Sequence, residues 1–212
     1  MTKTGRRKGR LIVISAPSGA GKTTLVKALL RRNPRFVFSI SYTTRPPRAG
    51  EVHGRDYLFV SHEQFAELRA AGELLESAEV FDNHYGTSRS QVVETLASGR
   101  HVILEIDWQG ARQVRAAMPA AVSIFILPPS VASLRERLTR RRTDSAAVIE
   151  RRLRDSLADL SHWAEFDYVV VNDDLRTAVA ELEGLAVGRL RRNRVGTAKT
   201  AATVARILSK RA

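Results

Sequence analysis

The sequence predicts an α/β protein built on a parallel sheet with helices on both faces. Apolar strand-like runs alternate with helical segments along most of the chain, an order that favours parallel strands joined by crossover helices. A glycine-rich turn joins the first strand to the first helix. The 212 residues, 43% of them hydrophobic, suffice for one such core with small inserted lobes.

The first two elements are a buried strand and an amphipathic helix. The apolar run 11–14 is typical of a strand that is covered on both faces. Leu25, Ala28, Leu29 and Leu30 then follow at helical spacing. The glycine-rich turn therefore lies between the end of a strand and the start of a helix.

The next block departs from this simple alternation. Residues 52–60 indicate extended structure, and Ser61 is suited to cap a helix that carries Phe65 and Leu68. The stretch from Leu75 to Phe81 predicts another strand. These extra elements are expected to form an inserted lobe.

Regular alternation resumes after this block. Helices are expected where apolar residues recur every three or four positions, and strands where apolar runs are unbroken. In chain order the prediction is a helix from Ser90 to Ser98, a strand over 101–107, a helix from Trp108 to Met118, a strand from Val122 to Leu127, a helix from Ser130, a helical segment with Val148, Leu153, Leu157 and Leu160, a strand from Tyr168 to Val171, and a closing helix with Leu175, Val179, Leu182 and Ala186.

The chain divides on this basis into a core and two appendages. An arginine-rich helical stretch could swing over a bound anion as a closing lid. The predicted boundaries are core segments 10–40, 90–134 and 163–190, an inserted lobe 41–89, a lid 135–162, and basic terminal segments 1–9 and 191–212.

The net charge of +13 comes almost entirely from the two termini. Residues 1–10 and 191–212 contain basic side chains and no acidic ones, whereas the body between them is close to neutral. A globular nucleic-acid-binding protein would carry its basic stripe on the fold, so we do not expect nucleic acid as a partner, although the tails could bind polyanions weakly. Flexible, solvated termini are favoured over a polyanion-binding role, and Val204, Ile207 and Leu208 could form a short basic amphipathic helix.

The cellular compartment is predicted from what the sequence lacks. Without cysteine there are no disulfides or thiolate metal sites, which fits a reducing compartment. The basic N-terminus has no signal-peptide core, and no apolar stretch approaches the length that crosses a bilayer. We expect a cytoplasmic protein with no membrane partner, and the sequence indicates no particular oligomeric state.

The glycine-rich turn has the composition of a phosphate-binding loop, or P-loop. It reads Ala-Pro-Ser-Gly-Ala-Gly-Lys-Thr from Ala16 to Thr23, with alanine where the strict pattern begins with glycine. Gly19 and Gly21 let backbone N–H groups curl around phosphate oxygens at the positive end of a helix. Lys22 can reach the β- and γ-phosphates, and the Thr23 hydroxyl can bind Mg²⁺. The competing interpretation is an ordinary glycine-rich turn before a buried helix.

Two further charged groups suit phosphoryl transfer. Glu105 and Asp107 end a central strand and point to one face, at the sheet edge where α/β proteins bind ligands. Arg45 and Arg48 flank two prolines, with Tyr57 downstream, and guanidinium forks match phosphate oxygens. The alternatives are a solvated strand end for the acids and a solvated loop for the arginines.

These motifs together resemble the guanylate kinase family, from about Arg10 to Leu190. Seven segments match in the family's order and spacing. They are Ser-Ala-Pro-Ser-Gly-Ala-Gly-Lys (15–22), Thr-Thr-Arg-Pro-Pro-Arg-Ala-Gly-Glu-Val-His-Gly (43–54), Asp-Tyr-Leu-Phe-Val (56–60), Tyr-Gly-Thr-Ser (85–88), Ile-Asp-Trp-Gln-Gly (106–110), Phe-Ile-Leu-Pro-Pro-Ser (125–130) and Val-Asn-Asp-Asp (171–174).

The resemblance implies transfer of the γ-phosphoryl group of Mg-ATP to GMP or dGMP, on a P-loop core with an inserted GMP-binding lobe and a helical lid. The implied ATP-binding residues are Ser15, Ala16, Pro17, Ser18, Gly19, Ala20, Gly21, Lys22, Thr23, Thr24 and Asn172, the last near adenine. Guanine would be bound by Ser41, Glu76, Thr87 and Asp107, and the GMP phosphate by Arg45, Arg48, Tyr57 and Tyr85. The implied catalytic cations are Lys22, Arg45, Arg137, Arg141 and Arg152, and the implied metal-binding residues are Thr23 and Glu105.

The chemistry of the substrates agrees with these assignments. Guanine presents N1–H and N2–H₂ donors, which carboxylates complement. Adenine would leave those carboxylates unpaired, so the site should discriminate against it. A GMP phosphate is already anionic, so positioning and charge neutralisation can carry catalysis without a general base.

Three positions depart from the family pattern, and three other functions stay open. Glu105 stands where aspartate is common, His84 where tyrosine is usual, and Arg142 where glycine is common. The other functions are a peptide-binding module of this fold, a kinase for a phosphorylated sugar, and a nucleic-acid-stimulated ATPase. The intact P-loop and lid arginines count against the first, Glu76 and Asp107 against the second, and the neutral body against the third.

Overall fold

A computed structural model describes residues 8–80, 82–139 and 146–209. Its elements are β1 (Leu11–Ser15), α1 (Lys22–Arg32), β2 (Phe36–Phe38), β3 (Tyr42–Thr43), β4 (Leu58–Phe59), α2 (His62–Ala70), β5 (Leu74–Val80), β6 (Asn83–Ser88), α3 (Arg89–Ala97), β7 (His101–Glu105), α4 (Trp108–Ala117), β8 (Val122–Leu127), α5 (Val131–Thr139), α6 (Ala146–Leu160), a 3-10 turn (Ser161–Glu165), β9 (Tyr168–Val171), α7 (Leu175–Ala186) and α8 (Ala198–Ser209).

The core is a five-stranded parallel sheet in the order β2-β7-β1-β8-β9. On one face Ile12 and Ile14 of β1 pack with apolar residues of α1 and α7, and on the other Val13 packs with residues of α4, α5 and α6. The central strands β1 and β8 are buried on both sides, which is why all their residues except Ser15 and Ser123 are apolar. The predicted parallel sheet with helices on both faces is confirmed.

A second, smaller sheet is formed by residues within the block predicted as an inserted lobe. Its order is β4-β3-β6-β5, with β3 parallel to β4 and antiparallel pairing elsewhere. The predicted extended stretch 52–60 contains only the two-residue strand β4, and β6 was not predicted. Of the predicted strand ending at Phe81, β5 covers the part up to Val80, and Phe81 itself lies outside the described residues.

The arginine-rich segment packs against the P-loop. Leu134 and Leu138 of α5 approach Gly19 so closely that an added Cβ there would lie 3.1–3.2 Å from them. The Ser156 hydroxyl of α6 donates to the carbonyl of Ser18 at 3.2 Å. Helices α5 and α6 thus lie directly beside the loop. Among the described helices, none combines the length and apolar character that crossing a bilayer requires.

The expectation of a flexible, solvated C-terminal tail is wrong for residues 191–209. Arg194 forms an antiparallel bridge with Tyr168, so this segment pairs with the outer strand β9. Val204 and Ile207 of α8 are 1% and 3% exposed and belong to the core on one face of the sheet. The short amphipathic helix that the spacing of Val204, Ile207 and Leu208 allows does form, because the sheet face offers its apolar residues a hydrophobic surface.

We expect Val204→Asp to lower the free energy of unfolding by about 2–4 kcal/mol, because it places an unpaired charge in the core. Urea denaturation would measure this. Ala205→Asp is the matched control, since Ala205 is exposed on the same helix. Equal denaturation midpoints for the two variants would show that α8 does not contribute to the core in solution.

Candidate active site

The P-loop forms a concave pocket between the end of β1 and the start of α1. Gly19 and Gly21 have φ angles of +84° and +89°, a left-handed conformation that favours glycine. At Gly21 an added Cβ would also lie 2.4 Å from the amide nitrogen of Asn172. The pocket lining comprises Ala16, Pro17, Ser18, Gly19, Gly21, Lys22, Thr23 and Thr24. Ser15 and Ala20, which complete the predicted set, are buried beside it.

Asn172 and Arg137 hold this loop from the side. The Asn172 amide donates to the Ala20 carbonyl at 2.7 Å. The Arg137 guanidinium donates to the same carbonyl at 3.2 Å and to the backbone carbonyl of Asn172 at 3.0 Å. Arg137 is therefore positioned at the loop, whereas the predicted proximity of Asn172 to adenine stays a prediction.

Lys22 reaches from α1 to the end of β7. Its Nζ donates to the carbonyl of Ile106 at 3.2 Å. Burial lowers the pKa of Lys22, and the carboxylates of Glu105, Asp107 and Asp159 oppose that shift. These three acids stabilise the charged ammonium beside the pocket that would receive phosphates.

The Thr23 hydroxyl and the Glu105 carboxylate are in contact across the same gap. Both are hard oxygen donors of the type that Mg²⁺ prefers. The described part of the chain contains no group of three His, Cys, Asp or Glu residues that could hold a metal ion. Mg²⁺ at nucleotide sites usually keeps several waters and binds one or two carboxylates together with substrate phosphates.

A second cleft lies between the core and the smaller sheet. Of the eight residues predicted to bind guanine or the GMP phosphate, five line this cleft, namely Ser41, Tyr57, Glu76, Tyr85 and Asp107, whereas Arg45, Arg48 and Thr87 are not part of its lining. Glu105 of the predicted metal-binding pair also lines it. Phe38 and Val80 add apolar surface to the same cleft, although each is a partly exposed side chain. A polar ring system with an apolar face would fit such a lining.

Glu76 is the most deeply buried acid of this cleft. It is 5% exposed and accepts a hydrogen bond of 2.6 Å from the Thr87 hydroxyl. Burial raises the pKa of Glu76 to about 6, and the nearby Asp107 adds to that shift. Asp107 caps α4 by accepting from the Gly110 N–H at 2.7 Å. Gly110 leaves room for both acids, because a Cβ there would lie 2.9 Å from a Glu76 carboxylate oxygen.

Arg45 lies against Tyr57 and Tyr85 of this cleft, and Glu51 holds it in place. One Arg45 nitrogen lies 2.9 Å from each Glu51 carboxylate oxygen, and the guanidinium stands 5.4 Å from the Tyr57 ring centroid. The hydrogen bond that Arg45 donates to the Glu51 carboxylate raises the pKa of Arg45, and a hydrogen bond with the Tyr85 hydroxyl contributes. Glu51 also accepts the backbone N–H of Arg48 at 2.7 Å. Sequence reasoning missed the role of Glu51. An acidic residue that closely follows Arg45 and Arg48 in a proline-containing loop is a signal for such a role.

We expect Glu51→Gln to raise the KM for GMP by about tenfold while kcat changes little, because Arg45 loses an ionic partner that orients it. Steady-state kinetics at saturating ATP would measure both constants. Asp56→Asn is a suitable control, since Asp56 lies in the same loop and pairs with the exposed Arg55. An unchanged KM in the Glu51 variant would contradict the proposed orientation.

Two of the three predicted lid arginines, Arg137 and Arg152, lie within the described residues. Arg137 contacts the P-loop as described, and Arg152 lies on α6, the helix that reaches Ser18 through Ser156. Arg141, and Arg142 with it, lie outside the described residues. The catalytic roles of all three lid arginines stay predictions.

An aromatic stack that sequence reasoning missed joins α4 to the end of α6. Trp108, which follows Asp107, stacks on His162 with 3.6 Å between ring centroids, and the Arg112 guanidinium lies 4.4 Å from the Trp108 ring centroid. Glu165 accepts from Arg112 at 2.5 and 2.7 Å and contacts His162 at 2.6 Å. This cluster holds α4, which begins at the cleft, against the 3-10 turn that follows α6, the helix that packs on the P-loop.

Comparisons with known proteins agree with this geometry. The family model described as guanylate kinase matches residues 8–186. The guanylate kinase of Alkalilimnicola ehrlichii is 55% identical over 177 residues, covering 84% of this chain and 87% of that protein. The guanylate kinase of Escherichia coli K12 is 50% identical over 190 residues, covering 88% and 92%. The crystal structure of guanylate kinase from Anaplasma phagocytophilum superimposes with a TM-score of 0.69 at 35% identity, covering 90% of this chain and 92% of that one.

Proposed function

The chain belongs to the guanylate kinase family, whose reaction is ATP-dependent phosphorylation of GMP, and we propose that its two pockets divide this reaction between them. The P-loop pocket takes the phosphates of ATP, and the cleft of Glu76 and Arg45 takes GMP. One observation carries this proposal. The pockets share a wall, because Glu105, Ile106 and Asp107 line the cleft while Lys22 Nζ of the P-loop contacts the Ile106 carbonyl.

The cleft is chemically asymmetric in the way GMP requires. Its buried end presents the carboxylates of Glu76 and Asp107, which can accept from the N1–H and N2–H₂ groups of guanine. Tyr57 and Tyr85 line the same cleft, and the guanidinium of Arg45, which lies against both rings, can bind the phosphate together with their hydroxyls.

The transfer step then needs alignment and charge rather than a base. A phosphate oxygen of GMP forms a bond to the γ-phosphorus of ATP, the bond to the β–γ bridging oxygen breaks, and ADP leaves with that oxygen's electron pair. Lys22 neutralises charge on the β- and γ-phosphates. Arg137, Arg141 and Arg152 would surround the transferring group and exclude water. Thr23 and Glu105 are the residues that would hold Mg²⁺, which supplies further positive charge to the phosphates when bound.

Measurement of ADP formation with GMP, dGMP, AMP and ribose 5-phosphate as separate acceptors tests the proposal. GMP and dGMP should be phosphorylated, because the contacts described involve the base and the phosphate. AMP should be at least about 100-fold poorer in kcat/KM, since adenine leaves the two carboxylates unpaired. Comparable turnover of AMP or ribose 5-phosphate would contradict the assignment of Glu76 and Asp107.

A further inference from the structure

A second polar cavity lies at the amino ends of the strands, at the sheet edge opposite the P-loop. Arg10 precedes β1, Arg35 precedes β2, and His101 is the first residue of β7. Arg189 reaches the same place just after the end of α7. The polar residues of the lining are Lys8, Arg10, Asn33, Arg35, His101 and Arg189.

The cavity holds four cationic side chains and no acid in its lining. Among the described residues, none of these four cations has a carboxylate oxygen within the 4.0 Å that defines an ion pair. Glu183 touches the lining through the Asn33 amide at 2.9 Å, but it is already paired with Arg32 at 2.8 Å. Within the described ranges, no carboxylate forms an ion pair with the cationic side chains of the cavity.

Backbone carbonyls fix two of the arginines. Arg10 donates to the Ala186 carbonyl at 3.3 Å and packs so closely on Gly188 that an added Cβ would lie 2.4 Å from its nitrogen. Arg35 donates to the Gly99 carbonyl at 3.1 Å. The carboxyl-terminal ends of α7 and α3 each offset only about half an elementary positive charge. The four cationic side chains therefore leave the cavity with a net positive charge. Each guanidinium has five N–H donors, and one carbonyl leaves most of them available.

His101 supplies a buried neutral donor to the same cavity. It is 5% exposed, and its Nδ1 accepts the backbone N–H of Arg10 at 3.0 Å. The neutral ring therefore carries its proton on Nε2. Burial lowers the pKa of His101, and the charges of Arg35 and Arg10 lower it further, so the arginines act on this ring electrostatically.

We propose that this cavity is a second anion site, which binds a small polyphosphate such as inorganic tripolyphosphate or the triphosphate tail of a free nucleotide. Planar guanidinium groups match phosphate oxygens in pairs, and several linked phosphates can engage cations that no single phosphate spans. The site is separate from the catalytic pockets and does not depend on the reaction proposed for them.

NMR titration of the full-length protein with inorganic tripolyphosphate tests this inference, with the His101 ring as a local probe that the P-loop cannot affect directly. The ring signals should shift saturably, and the pKa of His101 should rise because the anion neutralises the arginines. Arg35→Gln combined with Arg189→Gln should weaken binding about tenfold or more. Arg69→Gln combined with Arg176→Gln removes the same charge from exposed positions elsewhere and should leave it unchanged.

The outcomes distinguish a nucleotide triphosphate from an inorganic polyphosphate as the ligand. They also distinguish this cavity from the catalytic pockets. If ATP without Mg²⁺ shifts the ring as tripolyphosphate does, the triphosphate tail suffices, and a response to tripolyphosphate alone restricts the site to inorganic chains. Absence of a saturable shift, or equal weakening by the two double variants, would overturn the proposal. Phosphorylation of GMP should be unaffected by either double variant, so failure here is distinguishable from failure of the proposed function.

Discussion

Lys22→Ala is expected to lower kcat for GMP phosphorylation by at least about 1,000-fold, because no other side chain places a positive charge at the β- and γ-phosphates from within the loop. Lys22 Nζ is already held against the Ile106 carbonyl, so the charge is positioned before substrates bind. Loss of a positioned charge in a water-excluded site is not recovered by raising the ATP concentration. Steady-state and single-turnover kinetics would measure the effect.

The fold should survive this substitution. The pKa of Lys22 is lowered by burial, which means that burying the ammonium costs free energy in the folded state. Its removal therefore should not reduce the thermal midpoint. Lys27→Ala is the matched control, since Lys27 is exposed on the same helix. A Lys22 variant that retains a tenth of wild-type kcat, or a Lys27 variant that is equally impaired, would refute the assigned role.

The sheet could be predicted from sequence because its strands are covered on both faces. Burial on two sides requires unbroken apolar runs, and β1, β7 and β8 have them. Strand β6 has no such run, since it contains Asn83, His84 and Gly86. It becomes a strand through pairing with β5 across a turn in which Asp82 has a φ of +61°. That partner is a feature of tertiary structure, which local pattern does not record.

The residues of the candidate site also differ in whether local sequence could predict them. Backbone-built features such as the P-loop are local in sequence, so their residues could be assigned by spacing alone. Glu51 and the Trp108–His162 stack act through contacts that only the folded chain creates, and the second of these joins residues 54 positions apart. The count of charges in the C-terminal segment also led to the wrong expectation that its basic side chains are free in solvent. One of them, Arg192, forms an ion pair of 2.9 Å with the buried Glu181.

Glu76→Gln is expected to raise the KM for GMP by about 100-fold and at the same time to stabilise the unliganded protein. The ionised carboxylate accepts from guanine donors, whereas an amide offers at best one acceptor, so binding weakens by about 2–3 kcal/mol. In the free protein the same carboxylate is buried and hydrogen-bonded by Thr87. Glutamine keeps that hydrogen bond without the cost of burying a charge.

The pH dependence of stability distinguishes this explanation from a packing effect. Burial raises the pKa of Glu76 from its ordinary value of 4.5 to about 6 in the folded protein, so the native state binds the extra proton and the contribution of Glu76 to stability falls as pH rises from 4.5 through 6. The difference of about 1.5 units corresponds to about 2 kcal/mol above pH 6. The stabilisation by Glu76→Gln should therefore be largest at pH 7–8 and vanish near pH 4.5.

Urea denaturation of both proteins across this pH range would measure the difference, with Glu73→Gln as the control, because Glu73 is exposed just before the same strand. The pH profile of kcat/KM for GMP should be compared between wild type and the Glu76 variant, since the GMP phosphate itself titrates near pH 6. Only the component lost in the variant belongs to Glu76. A stability difference that is constant with pH would mean that ionising Glu76 in the folded protein costs little free energy. The explanation that the buried carboxylate lowers the stability of the free protein while it binds guanine would then be wrong.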